Sequence, residues 1–450
     1  MLHKQYCPRQ SCAASKNAVR HVRFPRACAT SNAASRLLLE SRAIDVMTRA
    51  VYDDVASLPE PQWHKNQLRW SRPPGVRPVK APSGAPPIII LPGFGNASTD
   101  YTEPFGNQDA ALVTRLQVRG WRPYVVPLQR RDWFQVARAL LTRRYWQAGL
   151  TTHPGYTWYL ERVAATVEQA VRETGAEQVI LVGHSAGGWL GRAFLGDPRY
   201  QQQQQSEPRQ GFWASVGGLS LPAWGLTAAG GVLAARPPPP GSAGGEPHPR
   251  VAAVVTLGTP QRPPPANKKR DMTGGAQGWV DRTYPGAFFA PAGVRYVCVC
   301  GRSARGHRDF PRPREGPRIP EEYAYDSYTE VCGEGEGVVG DCVVPLDSAL
   351  LPGARPVVLD GVFHSMSKIG TFDEESGVVW YGSEDVLDCW LGPLVQELGL
   401  GQGGAGSSSG VAGEGQEASL DGFCGEDREE AVLKAATAAS AGASASPTGI

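Results

Sequence analysis

One stretch, Gln178-Val-Ile-Leu-Val-Gly-His-Ser-Ala-Gly-Gly-Trp-Leu190, limits what this chain can fold into more than any other. Residues 178–182 are a short, β-rich apolar run and residues 186–195 have helical composition, so a buried strand must turn into a helix almost at once. Gly183 and Gly187 flank Ser185 in the G-x-S-x-G spacing of a nucleophile elbow. Such a turn strains the serine backbone, lifts Oγ above the sheet edge and aims the free N–H groups of the next helix at any anion forming there. That is a geometry for acyl transfer. The spacing recurs in Gly406-Ser-Ser-Ser-Gly410, but there it lies in a Gly/Ser run with no strand before it and no helix after it. Context selects Ser185.

The sequence around the elbow alternates strands and helices. Ile88-Ile-Ile-Leu91 is a buried-strand run delivered by a Pro-rich approach, and 124–126, 251–257, 294–300 and 356–359 read as further strands. Helical patterns cover 108–119, 131–145, 158–174 and 383–398, with Gly175 placed to stop the third. This order predicts an α/β fold with a mainly parallel sheet covered by helices on both faces. The pattern breaks between 198 and 249 into a Gln run, an apolar stretch and a Pro run, which reads as an insertion. Phe212, Trp213, Leu219, Leu221 and Trp224 give that insertion the composition of a mobile lid.

The chain has 54 Gly and 39 Pro among its 450 residues, concentrated away from the alternating region, so the folded part is shorter than the whole. Residues 1–39 hold seven Lys/Arg and no acid, leaving 38 basic against 43 acidic residues in the rest. A nearly neutral to acidic body offers no electrostatic case for nucleic acid. The acid-free, Arg- and Ser-rich start predicts a transit peptide or a disordered basic terminus over 1–50, with a plastid as the expected destination and a mitochondrion or the cytoplasm as the alternatives. Residues 51–86 then read as a leading helix and Pro-rich linker, helical from about 42 to 57, and 87–398 as the α/β domain. Residues 399–450 are a Gly/Ser/Ala-rich acidic tail without packed structure. No apolar run is long enough for a transmembrane helix. The nine scattered cysteines read as core or incidental thiols; no cofactor or metal is expected.

A serine hydroxyl needs a histidine to take its proton and a carboxylate to hold that histidine in the right tautomer. Asp341, in the loop-like Gly340-Asp-Cys-Val-Val-Pro345, fits the acid, with Asp326, Asp347 and Asp360 in reserve. His364 fits the base because it directly follows the last strand and lies downstream of the acid. His307 is its rival, while His184 reads as a packing residue. The oxyanion hole needs two backbone N–H groups. Ala186 supplies one and Phe94 the other, since Gly93 and Gly95 let its backbone approach closely.

These segments together resemble the α/β-hydrolase superfamily. More narrowly, the chain resembles plant and algal plastid-type, lipase- or esterase-like serine hydrolases. The resemblance is carried by Leu91-Pro-Gly-Phe-Gly-Asn96, Arg131-Asp-Trp133, Trp158-Tyr-Leu160, Gly183-His-Ser-Ala-Gly-Gly-Trp-Leu190, Thr256-Leu-Gly-Thr-Pro260, Gly340-Asp-Cys-Val-Val-Pro345, Gly361-Val-Phe-His-Ser365 and Trp380-Tyr-Gly-Ser383. It implies an α/β-hydrolase fold and cleavage of a carboxylic ester by Ser185, His364 and Asp341. A lipid or other acyl ester is the expected substrate, with peripheral membrane contact compatible with it. A weaker likeness to the GPI inositol-deacylase group, an acyltransferase on the same triad and a non-catalytic scaffold are the alternatives. Cys342 departs from the family pattern, standing where a glycine commonly follows the acid.

Overall fold

The computed structural model describes Val55, Leu58 and residues 61–64, 66–201, 245–308, 319–365 and 378–400. The expected transit segment, acidic tail and Gly406–Gly410 match lie outside the described residues, as do the apolar stretch 212–224 and all of the leading helix except Val55.

Among the described residues eight strands occur in chain order: β1 (Ile88–Leu91), β2 (Pro123–Val125), β3 (Val179–His184), β4 (Val251–Leu257), β5 (Arg295–Arg302), β6 (Ala304–Arg305), β7 (Val339–Gly340) and β8 (Arg355–Asp360). Six of them form one sheet in the spatial order β2-β1-β3-β4-β5-β8, and every pairing in it is parallel. β6 and β7 pair antiparallel as a small separate ribbon. The longer helices are α1 (Leu112–Val118), α2 (Thr157–Thr174), α3 (Ala186–Gly196), α4 (Ala276–Thr283), α5 (Pro320–Cys332) and α6 (Glu384–Glu397).

Both faces of the sheet are buried, which is why its strands are continuous apolar runs and not alternating ones. In β1 the side chains of Ile89 and Leu91 pack on the face carrying α2 and α3. Ile88 and Ile90 pack on the opposite face with Leu112, Leu116, Trp390 and Leu391 of α1 and α6. All four β1 side chains are fully buried, each stabilising by about 1.5–3 kcal/mol relative to exposure. The Pro-rich approach is held to the second face by one buried carboxylate. Asp388 of α6 accepts from Arg72 (2.9 Å), Arg119 (3.1 Å) and the Val79 N–H (3.0 Å). α2 ends where Gly175 takes a left-handed conformation.

The chain runs from β1 out to β2 and then back past β1 to β3. In an open parallel sheet this reversal leaves a crevice beyond the carboxyl ends of the two central strands. The loops following β1 and β3 are 92–96 and the turn at Ser185, so the topology brings the predicted oxyanion loop and nucleophile together.

Candidate active site

Ser185 stands between β3 and α3 with φ 53° and ψ −128°. A non-glycine residue held there costs about 1–3 kcal/mol. The turn survives because its neighbours leave no room for another path. A Cβ on Gly187 would sit 2.1 Å from the Leu91 carbonyl oxygen, and one on Gly183 would sit 2.4 Å from Gly188 Cα. The Ser185 N–H is anchored to the Leu257 carbonyl at 2.9 Å. All of α3 behind it is buried, and as the first helical residue Ala186 has an N–H without an intrahelical partner.

The 92–96 loop lies directly over this turn, since a Cβ on Gly93 would come within 2.6 Å of Ser185 Cβ. The loop is fixed by Tyr159 Oη–H to Pro92 O (2.9 Å), Trp133 Nε1–H to Asn96 O (2.9 Å) and Asn96 N–H to Gly93 O (3.1 Å), and by bonds to Tyr101 described below. The Phe94 side chain is 63% exposed and meets Trp133 edge-on, with ring centroids 5.1 Å apart.

Asp341 follows β7 and is 1% exposed. Its Oδ1 accepts from the Val343 N–H (3.0 Å) and the Val344 N–H (2.6 Å). Its Oδ2 accepts from His364 Nδ1–H (2.7 Å) and Tyr381 Oη–H (2.7 Å). The Tyr381 oxygen accepts in turn from the Gly301 N–H at 2.8 Å, and burial pushes the Tyr381 pKa well above its ordinary value, keeping it a donor. Four donors satisfy the carboxylate without an adjacent cation, and hydrogen bonds to a charged group contribute about 1.5–3 kcal/mol each. The His364 N–H also bonds the Asp341 carbonyl at 2.9 Å, so ring and main chain of the two residues are doubly tied.

The structure thus pairs His364 with Asp341 and accounts for the reserve groups elsewhere. Asp326 meets Arg308 (3.0 Å), Asp360 meets Arg302 (2.6 Å) and His307 meets Glu336 (2.7 Å). Asp347 opens the short helix Leu346–Ala349, where burial raises its pKa. Cys342 has φ 79°, so it adopts the left-handed backbone for which a glycine is favoured. Its N–H bonds Tyr328 Oη at 2.9 Å.

His184 is buried and links the two halves of the site. The His364 carbonyl can only accept, so His184 Nε2 carries the proton donated there at 2.8 Å. Nδ1 is then the acceptor for Tyr101 Oη–H at 2.7 Å. The Tyr101 oxygen itself accepts from the Gly93 N–H (3.2 Å) and from Asn96 Nδ2 (2.9 Å). Burial, with the neighbouring His364, lowers the His184 pKa from 6.5 to about 3, so the ring stays neutral. The His184 and His364 ring centroids are 4.8 Å apart. A directed chain of hydrogen bonds therefore runs from the loop over Ser185, through the residue preceding Ser185, to the main chain of His364.

Sequence reasoning did not single out Tyr101 or Tyr381. Tyr381 lies within the Trp380-Tyr-Gly-Ser383 segment that carried part of the resemblance, which was a usable signal; Tyr101 sits in a short turn, Thr99–Thr102, with none. Cys298 and Cys300 are buried thiols on β5, with sulfurs 3.6 Å apart. Among the described residues no His, Cys, Asp or Glu cluster has the spacing to hold a metal, and no helix is long and apolar enough to cross a membrane.

A strained serine after a central strand of a parallel sheet, followed by a buried helix, overlain by the loop after β1 and with the His364–Asp341 pair on the loops after β8 and β7, is the α/β-hydrolase fold. No family model and no curated protein sequence matches the chain. Solved structures that it is similar to include the mature form of the lipase BlEst2 from Bacillus licheniformis, at 14% identity and TM-score 0.33, covering 72% of this chain and 96% of that one. Another is EstA from Clostridium botulinum, at 11% identity and TM-score 0.34, covering 80% of this chain and 99% of that one.

Proposed function

We propose that the chain is a serine hydrolase that cleaves carboxylic esters, with lipid acyl esters as its substrate class. The observation that carries this reading is the strained Ser185 at the head of α3, beneath a loop with glycines on either side of Phe94. The His364–Asp341 bond of 2.7 Å supports it.

In this mechanism His364 Nε2 takes the Ser185 hydroxyl proton as Oγ attacks the ester carbonyl carbon. The carbonyl π electrons move to oxygen, and the N–H groups of Phe94 and Ala186 stabilise that oxyanion. Collapse expels the alcohol, which receives the proton from His364 and leaves an acyl-serine. Water, deprotonated by His364, attacks the acyl carbon; collapse releases the carboxylic acid and returns the proton to Ser185. Asp341 orients the imidazole and stabilises its cation throughout.

A fluorophosphonate probe tests this. It should label the folded wild-type protein at Ser185 and leave Ser185→Ala unlabelled; a folded protein that stays unlabelled would sink the proposal. The kinship with plastid-type hydrolases belongs to the same proposal, supported by the ordered motif series and the acid-free residues 1–39. Native protein isolated from its source should begin between about residues 35 and 55. An intact Met1 would contradict import.

A further inference from the structure

We propose that the face formed by residues 130–146 docks the protein on an anionic lipid surface. This deepens the lipid-ester reading above and rests on it for its purpose. The segment is a series of short turns, Arg130–Trp133, Phe134–Ala137, Arg138–Leu141 and Arg143–Trp146. It is pinned to the body by Trp133, Ala139 and Tyr145, all buried. Between these anchors it presents large apolar side chains to solvent: Phe134 is 76% exposed, Leu141 89% and Trp146 63%. None of these is needed to fill the core.

The charge on this face is one-sided. Residues 130–146 contain five Arg and a single Asp. Asp132 is already held by Arg162 (2.5 Å) and the Gln129 N–H (2.8 Å), and Arg130 by Asp100 (2.6 Å). Arg131, Arg138, Arg143 and Arg144 remain exposed and make no salt bridge among the described residues. Arg270 adds a further guanidinium, stacked over the rings of Tyr145 (4.7 Å) and Trp146 (4.3 Å). In a protein whose body carries more acid than base, this concentration is local. Arginines interleaved with exposed Trp, Phe and Leu are the composition of an interfacial segment, apolar groups entering the acyl boundary while the cations meet lipid phosphates.

The face also adjoins the site. Trp133, its first anchor, packs on Phe94 and bonds the Asn96 carbonyl in the loop over Ser185. A membrane meeting this face would bring its acyl esters to the mouth of that loop.

Binding and turnover are to be measured separately. Full-length Ser185→Ala protein, which cannot consume the lipid, is sedimented with vesicles of equal parts phosphatidylcholine and phosphatidylglycerol, and with phosphatidylcholine alone. Binding should favour the anionic vesicles and weaken with salt. Adding R131Q, R138Q, R143Q and R144Q together should lower partition by roughly 10²–10³-fold at low ionic strength, at about fivefold per arginine. Leu141→Ser should lower it by about tenfold. With Ser185 intact, the four-arginine variant should hydrolyse a soluble nitrophenyl acetate at the wild-type rate. Equal vesicle binding with and without the four arginines overturns the docking face and leaves the esterase reading standing. Absence of nitrophenyl acetate turnover in wild type, with vesicle binding unchanged, sinks the esterase reading instead. Arginine-dependent capture of a single-stranded RNA without vesicle binding would assign the face to nucleic acid and overturn the lipid proposal.

Discussion

Two regions at the mouth of the sheet follow opposite rules. Around Asp341 each carboxylate oxygen has two donors, and Tyr381, His184 and Tyr101 are all buried and hydrogen-bonded. Along 130–146, apolar side chains and four arginines face water without ion-pair partners among the described residues. The first region holds its groups by several hydrogen bonds each, as the proposed proton transfer and oxyanion stabilisation would demand. The second leaves apolar rings and guanidinium groups exposed to solvent, the arrangement that the proposed docking on a large, deformable partner would use. On the two proposals above, chemistry and contact fall to separate groups, and substitutions in one should leave the other intact.

The sharpest way to break that separation is Ser185→Ala, expected to cost about 10⁴-fold or more in turnover with the thermal transition unchanged. Asp341→Asn should cost about 10⁴-fold by presenting His364 with the wrong tautomer. Steady-state hydrolysis of a soluble ester checks both. A Ser185→Ala protein retaining a tenth of wild-type activity would remove the serine from the mechanism. Damage from Asp326→Asn or Asp347→Asn in place of Asp341→Asn would move the acid.

Acid titration sharpens the comparison, because the buried region should respond and the arginine face should not. His184 is held neutral with its pKa lowered from 6.5 to about 3, and burial likewise lowers that of His248 to about 4. The unfolded chain binds protons at these groups below pH 6.5 while the folded chain does not, so stability falls as pH drops through that window. The slope is at most about 1.4 kcal/mol per pH unit for each histidine. Asp197, raised by burial from 3.8 to about 6, acts with the opposite sign, its contribution being lost as pH rises between those values. Net acid lability should therefore begin near pH 6.5 and be partly offset below pH 6. Thermal melts from pH 7 to 4 should show it, and His184→Asn should flatten the curve. An unchanged slope in that variant would mean His184 is charged or solvated in the folded protein.

Tyr381→Phe removes one donor from Asp341 and leaves the Gly301 N–H without its acceptor. The expected cost is about 1–3 kcal/mol in stability and roughly tenfold in kcat, with KM for a soluble ester unchanged. A KM effect alone would place Tyr381 in substrate binding instead of positioning the acid.

Much of the buried region was legible in the sequence, and the exposed face was not. Strands buried on both faces are unbroken β-rich runs, so β1, β3, β4 and β5 stand out. Ser185, Asp341 and His364, whose roles are proposed above, follow the ends of β3, β7 and β8. By contrast, 131–145 reads as one helix but forms short turns. Its buried anchors Trp133, Ala139 and Tyr145 recur every six residues, a spacing no single helix face supports, and Thr142 interrupts it with an extended backbone (φ −101°, ψ 139°). α5 escaped the periodic reading although Pro320, Glu321 and Glu322 open it and Gly333 closes it, because its buried face is reduced to Glu321, Ala324 and Tyr328. Tyr101 and His184 act through contacts between segments far apart in the chain, which no local pattern encodes.

Cys342 tests how far the buried region depends on the residue next to its acid. Its left-handed backbone costs an L-residue about 1–2 kcal/mol, so Cys342→Gly relieves strain. The same change removes a buried thiol from the small cluster with Ala304, Ala324, Tyr328 and Phe363, together with its contact to the Pro320 carbonyl at 3.4 Å. It also adds backbone freedom to the unfolded chain, worth about 0.5–1 kcal/mol. These terms nearly cancel, and the melting temperature should move by only a few degrees, about 1 kcal/mol or less in either direction. Turnover should stay within about twofold, since Asp341 is held by the main chain of Val343 and Val344, by Tyr381 and by His364, and by no atom of the Cys342 side chain. A fall of more than tenfold in kcat with an unshifted melt would show that the thiol itself shapes the acid loop, and the hydrogen bonds around Asp341 would then not suffice to hold it.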